Sequence, residues 1–588
     1  MKRKRLVGKI KDIKRLEKKY KKPKLLGFDT ETVNGKIYSM QFYGENVDEF
    51  KLVWGWTEKE ILDYIYDKYK GYHLYAHNLS FDLGVILGEM ILDHDKRFHW
   101  HNYFCNVIYP HPCYATFSKN KRGVLRFADT VPFFKMSLKK AAEFIGYKKK
   151  LERPDYLGER KPKKNEMEYF IKYAMMDAEI CYELALKIAV LHEEFDVPIN
   201  YTVSIASLSA KIFRKYFIEY PIPKQPTKIM NMALESYHGG RTEAFGFGHV
   251  KDVTFYDINS SYPYSMSNIK IPIGTEWKRT TILSEDGFYN ISCFIPKKKI
   301  TPLPYDKNGL LQFPCGYFKR ITVTGIEAIE IKKVSSQFKV NEGYVYYGKY
   351  TRYMKDFVDC FFTKKKEAKS KVDYMFFKLI MNSLYGKTIQ MNSDKMNIGG
   401  YISGKGFIKN EEVKRPSGLF NPVIASWITA MSRIVLYRKM DAYEPYVLYC
   451  DTDSIATTRK CPKLESSKEL GLFQLEKTGS DFFVIREKFY MLKDKKIIKT
   501  GRHAFRGDEN LFLECLNSKN SKQIIYKVRR MTQLRESKIR KVDPFVMELR
   551  PFVFNINPSK KRTSAKFIGW HPDFMKKFYW IKPFFVFE

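Results

Sequence analysis

The sequence predicts a multidomain protein of α/β and α+β class, and three observations predict it. At 588 residues the chain exceeds what one hydrophobic core organises, so it must divide. From residue 25 to about 198, short apolar strand-like runs alternate with helical stretches such as EMEYFIKYAMMDAEICYELALKIAVL, the pattern of a sheet flanked by helices. Two further strand-like runs, near 253–258 and 446–457, could share one sheet with the intervening residues inserted.

Lys and Arg total 104 against 65 Asp and Glu, a formal net charge of +39 spread along the chain. Such an excess suits a polyanionic partner, because neutralised phosphates release counterions; it speaks to association and not to fold. Residues 1–24 form a basic lead-in that reads as a solvated helix or tail. The cysteines are odd in number, nine, and contain no C-x-x-C pair, which fits free thiols in a reducing compartment. No apolar run approaches the roughly 18 residues of a membrane span, and no signal-peptide core opens the chain. A cytoplasmic monomer with no membrane partner is expected.

The first carboxylate set begins in GFDTET, where Asp29 and Glu31 fall two apart on a strand and so share a face. YAHNLSFDLGVIL adds Asn78 and Asp82. YAMMD, within a helical pattern, sets Tyr173 and Asp177 four apart on one helix face. Singly these residues read as solvated or capping groups. Together, four carboxylates and a phenol suit two hard cations such as Mg²⁺, whose ligands are oxygens.

A second set follows. In TFYDINSSYPYSM, Asp257 ends a strand and Tyr262 follows at a bend. YVLYCDTDSIATT has two β-rich arms around Asp451-Thr452-Asp453, a hairpin with acids at its tip. Aspartate is also an ordinary turn residue, but apolar arms that bury the hairpin favour a site; three carboxylates again suit two Mg²⁺ ions. Between the two runs, FFTKKKEAKSKVDYMFFKLIMNSLYGKT has helical periodicity with few breakers before Gly386. Lys378, Asn382 and Tyr385 share one face of it, and Lys366 lies twelve residues earlier. YHGGRTEAF supplies Tyr237 and the paired Gly239 and Gly240, which let backbone approach a ligand. REKFY supplies Lys488 and Tyr490, two apart on a strand face.

The order and wording of these motifs, from about residue 25 to 495, resemble the family B DNA polymerases, specifically their protein-primed branch. The resemblance implies a ribonuclease H-like 3′-to-5′ exonuclease domain followed by a right-hand polymerase. Asp29, Glu31, Asp82 and Asp177 would hold the exonuclease metals, with Tyr173 positioning water. Asn78, Phe81 and Thr130 of ADTVPFF would contact single-stranded DNA, and one of Lys148 to Lys150 would be the family's exonuclease lysine. Asp257 and Asp453, with Asp451 beside them and the Ile258 carbonyl, would hold the polymerase metals. Tyr262 would stack under the incoming sugar as a steric gate. Lys366 and Lys378 would grip the triphosphate, with Asn382 and Tyr385 beside the nucleotide. Tyr237, Gly239 and Gly240 resemble the motif linking the two sites, and Lys488 with Tyr490 the primer-end clamp.

The implied cofactor is Mg²⁺, two ions per site, with Mn²⁺ able to substitute. The implied partners are template and primer DNA, deoxynucleoside triphosphates and a terminal-protein primer. By position the domains run 25–198 exonuclease, 199–268 palm, 269–353 first insertion, 354–389 fingers, 390–421 second insertion, 422–505 palm, and 506–588 thumb and C-terminal region. Ser261 stands where the family usually has Leu, which leaves the packing beneath Tyr262 open.

Overall fold

The computed structural model describes residues 23–88, 97–119, 123–147, 150–393, 401–402, 406–407, 414–461, 469–495, 497–499, 523–532, 536, 540–542, 545, 547–555, 560–562 and 578–587. The basic lead-in up to residue 22, Lys148, Lys149 and residues 506–522 lie outside the described residues. The chain folds as two compact units. The first takes in the described residues up to Phe217, those of Phe361–Gly418 and those of Arg529–Glu548; the second takes in the rest. No helix among the described residues is long and apolar enough to cross a membrane.

The first unit is built on an eight-stranded sheet in the order β3-β2-β1-β4-β8-β7-β6-β5. These strands are β1 Lys24–Val33, β2 Lys36–Gly44, β3 Val47–Leu52, β4 Tyr72–Ala76, β5 Arg97–Trp100, β6 Tyr103–Ile108, β7 Tyr114–Ser118 and β8 Leu125–Asp129. β1, β4 and β8 run parallel and the other pairings are antiparallel. The expected α/β alternation is present: the helices Glu58–Tyr69 and Leu79–Leu87 pack into the core that contains Leu26, Phe28, Ile65, Leu74 and Phe127. The helix Met167–Glu194 has neither Gly nor Pro to break it, and it buries Phe170, Tyr173, Ala174, Asp177, Ala178 and Cys181 along one stripe.

The helical stretch 361–388 is two helices and not one. Tyr353–Lys366 ends on three lysines, and Lys371–Lys387 starts at Ser370, whose side chain accepts the Asp373 N–H at 3.0 Å. The Ser370 cap therefore overrides the even periodicity.

The second unit holds another eight-stranded sheet. Its strands are β9 Thr242–Ala244, β10 Gly246–Ile258, β11 Val447–Asp451, β12 Ser454–Thr457, β13 Phe473–Arg486, β14 Phe489–Leu492, β15 Ile497–Lys499 and β16 Phe578–Trp580. The order is β15-β14-β13-β10-β12-β11-β9, with β16 paired to the start of β10. The two strand-like runs do share a sheet, since β10 pairs β12 antiparallel with Asp257 opposite Ser454. One face packs on the helix Pro422–Ala442 through Tyr256, Ile258, Ile434 and Cys450; the other buries Phe255, Tyr449, Ala456, Phe482 and Tyr490. Residues 277–346 form a separate sheet around Tyr289, Ile291, Phe318 and Val323, backed by the helix Gly325–Val334. The C-terminal strand Phe585–Phe587 joins that sheet beside Cys315–Tyr317. The region expected as a single C-terminal block thus feeds two different sheets, a pairing no local pattern announces.

Candidate active sites

Gly27 decides how the first set assembles. A Cβ there would stand 1.9 Å from the Ala178 carbonyl oxygen and 2.5 Å from the Tyr182 nitrogen, so only glycine lets the helix Met167–Glu194 lie against β1. That close approach brings Asp177 to Asp29 and Glu31: one ligand oxygen from each lies within 4.8 Å of the others. Asp82 reaches the same region from the helix Leu79–Leu87, its Oδ1 accepting from the Thr30 hydroxyl at 2.8 Å.

Burial dominates the electrostatics. It pushes Glu31 up to about 8 and Asp82 up to about 7, with Asp177 the main charge acting on Glu31 and Asp129 adding to Asp82. Asp29 is raised by burial and then by Asp82, Glu31 and Asp177; Asp177 is raised by burial against the pull of Lys150. Four carboxyls whose protons are held this strongly form a site that a divalent cation fits, because a cation relieves the same repulsion that a proton does. Of the three candidate lysines, Lys150 is the described one. It pairs with Asp177, and its ammonium sits 4.2 Å from the centre of the Tyr173 ring. Burial and the neighbouring carboxylates push the Tyr173 phenol up.

The expected strand contacts divide. Asn78 opens its helix in the left-handed region, at φ 73°. Phe81 meets the ring of Phe545 edge-on, with centroids 5.1 Å apart. Thr130 has no exposed surface, and its hydroxyl is held by His77 Nδ1 at 2.8 Å and the Ala76 carbonyl at 3.1 Å. It braces the ends of β4 and β8. Its neighbour Asp129, absent from the sequence reading, is buried beside Asp82. The available signal was a carboxylate closing an apolar strand parallel to GFDTET.

The second set lies at one end of the palm-like sheet. Period two puts Asp257 on the face of Phe255, and Asp451 on the face of Tyr449, with Ser454 between them in register. Thr452 and Asp453 form the two-residue turn, Thr452 at φ 62° with its N–H donating to the Arg241 carbonyl at 2.7 Å. The Asp453 carbonyl accepts the Ile258 N–H at 2.7 Å, which ties the turn to β10. Asp451 is buried and already engaged: Lys488 Nζ lies 2.9 and 3.1 Å from its two oxygens, and the Thr242 hydroxyl donates to it at 3.1 Å.

Gly240 is the second position where a close approach demands glycine. A Cβ would stand 2.7 Å from Thr452 Cγ2 and 3.1 Å from the Tyr262 hydroxyl oxygen, so the turn, the glycine and the tyrosine form one packed unit. The carbonyls of His238 and Gly239 accept from Arg433, the latter at 2.9 Å, and Arg433 in turn pairs with buried Glu327 at 2.6 Å. Neither Arg433 nor Glu327 figured in the sequence reading; both sit in largely buried helices with nothing local to mark them. Tyr237 flanks the same loop, half-buried. Ser261 donates to or accepts from Ser432 at 3.0 Å, so a buried hydroxyl pair fills the place of the usual Leu beneath Tyr262.

One expectation is corrected here. Lys488 is not on a strand; with Glu487 it forms the turn between β13 and β14, at φ 54°. Tyr490 is 5% exposed and packs on Tyr449, Phe482 and Phe255.

On the helix Lys371–Lys387, Lys378 is exposed while Asn382 and Tyr385 are half-buried, opposite a stripe of Phe376, Phe377, Ile380 and Leu384. Lys366 is exposed, 4.7 Å from the ring of Phe362, and buried Lys365 flanks that same ring at 4.7 Å. Lysines 366 and 378 both lie close enough to Lys365 to add to the burial that brings its ammonium down to about 8.

One mixed sheet carries the converging carboxylates Asp29, Glu31 and Asp177 with Asp82 beside them, and a second sheet carries Asp257, Asp451 and Asp453 at one end, the architecture of a two-unit chain with an acidic site in each unit. The family model for DNA polymerase type B, organellar and viral, matches residues 147–469, more than half of the chain. The chain belongs to that family. It is 26% identical over 515 residues to a probable DNA polymerase of Neurospora intermedia, covering 73% of this chain and 52% of that protein. It is 29% identical over 287 residues to the DNA-directed DNA polymerase of Enterobacteria phage PRD1, covering 44% of this chain and 49% of that one. The chain spans about half the length of these curated relatives. Its fold is that of phi29 DNA polymerase solved with primer-template DNA, with a TM-score of 0.69 and 20% identity, covering 91% of this chain and all of that one.

Proposed function

We propose that the chain is a DNA-directed DNA polymerase with its own 3′-to-5′ exonuclease, working in the host cytoplasm with primer-template DNA and deoxynucleoside triphosphates. The observation that carries this reading is the presence of two separate carboxylate sites in one chain, each at the ends of its own sheet.

In the exonuclease-type site Asp29, Glu31, Asp82 and Asp177 would hold two divalent cations, Mg²⁺ with Mn²⁺ as substitute; in the polymerase-type site Asp257, Asp453, the Ile258 carbonyl and Asp451 would do so. Bound there, such ions lower the pKa of an attacking water or 3′-hydroxyl and stabilise the leaving oxygen. The protein's own groups orient the substrates. Tyr173, one helical turn before Asp177, directs the water at the exonuclease site. Lys366 and Lys378 meet triphosphate charge. Tyr262, packed against Gly240 and Thr452, lies under the sugar and clashes with a 2′-hydroxyl. Lys488 holds Asp451 in place at the palm end.

The family resemblance supports a further step, initiation on a protein hydroxyl, with residues 269–353 docking the terminal protein and residues 390–421 serving processivity and strand displacement. A singly primed circular template tests the core reading. Long displaced products in MgCl₂ and none in chelator are expected; no extension with the intact chain would reject it. Transfer of a labelled nucleotide to a small co-encoded protein tests protein priming, and its failure alongside normal primer extension would leave a nucleic-acid-primed enzyme.

A further inference from the structure

Asp129 closes β8 with only 2% of its surface exposed. Its Oδ1 accepts the Asn78 N–H at 3.0 Å and the Val131 N–H at 2.9 Å, while its Oδ2 is buried with no hydrogen-bond partner among the described residues. Asn78 begins the helix Leu79–Leu87 in the left-handed region, at φ 73° and ψ 47°, and its own side chain does not cap that helix. A helix start leaves N–H groups that need an acceptor, and a residue other than glycine stays left-handed only where its surroundings hold it. Asp129, reaching across from the neighbouring parallel strand, supplies that acceptor at the strained residue itself. The first turn of the helix so held contains Asp82.

We propose that Asp129 is a positioning residue of the exonuclease-type site: it clamps the backbone at Asn78 so that the helix delivers Asp82 to the Asp29 side of the cluster. The inference rests on the exonuclease reading given above. It assigns the buried carboxylate to its accepting oxygen, Oδ1, and gives the unpartnered oxygen no contact with substrate.

The test uses the full chain, a 5′-labelled single-stranded oligonucleotide and MgCl₂. Asp129→Ala should lower the maximal degradation rate about 30-fold and raise the half-saturating MgCl₂ about tenfold, with primer extension unchanged. Asp129→Asn keeps the accepting oxygen and should restore degradation to within about threefold of the unmodified chain. A wild-type rate and MgCl₂ dependence in Asp129→Ala would overturn the assignment; so would an Asp129→Asn loss as deep as that of alanine. If the alanine variant does not fold, Asp129→Ser, with a shorter capping oxygen, should fall between the two, and a wild-type rate would overturn the assignment equally. Asp29→Ala with Glu31→Ala runs in parallel. Degradation surviving that pair rejects the exonuclease reading itself, whereas its abolition beside an unaffected Asp129→Ala rejects the positioning role alone.

Discussion

The two carboxylate sites solve the same problem in opposite ways. In the first unit four acids crowd into a buried region, with Lys150 on Asp177 as counter-charge, and their protons are held far above the usual carboxylate range. In the second unit the acids are spread along a sheet edge and a turn, and the most buried of them, Asp451, is neutralised by Lys488. Among the described residues, Asp29, Glu31 and Asp177 form the group whose ligand oxygens converge within 4.8 Å; the palm acids do not. Crowding like charges stores repulsion that a cation can release, while spacing them beside a lysine leaves less repulsion to release.

The largest expected effect separates the sites outright. Asp453→Ala should abolish primer extension, by about a thousandfold or more, yet leave degradation of single strands; Asp29→Ala with Glu31→Ala should do the reverse. Loss of both activities from either change would break the two-site comparison. At the sugar position, Tyr262→Val should weaken discrimination against ribonucleotides by roughly a hundredfold in competing-substrate extension assays, and unchanged discrimination would remove the gate.

Smaller effects probe stability. Tyr490→Ala should cost the second unit about 3 kcal/mol or more in denaturant unfolding, as a core cavity does. Lys488→Met should cost about 1 to 2 kcal/mol, since the lysine is half exposed but its loss leaves the buried Asp451 carboxylate without its cation. A Tyr490→Ala cost below about 1 kcal/mol would remove Tyr490 from the core. The subtlest test is pH. Glu31 and Asp82, raised to about 8 and about 7, bind protons more tightly folded than unfolded. The stabilisation from those protons is therefore full below the ordinary carboxylate range and lost as pH climbs through about 7 to 8. In chelator the melting temperature should fall on the order of 3 °C across that window, MgCl₂ should reverse the fall, and Asp29→Asn with Glu31→Gln should flatten it.

The sequence alone determined which residues could do chemistry and how each is presented locally. Period two placed Asp29 with Glu31, a helical repeat placed Tyr173 with Asp177, and the D-T-D turn between apolar arms placed Asp451 and Asp453, because backbone geometry acts over a few residues. Tertiary structure decided everything that depends on distant neighbours. It alone reveals that Gly27 admits a helix, that Asp129 caps Asn78 and that Arg433 holds the glycine loop. It also set Thr130 and Tyr490 in the interior, a placement that packing decides and sequence spacing does not announce.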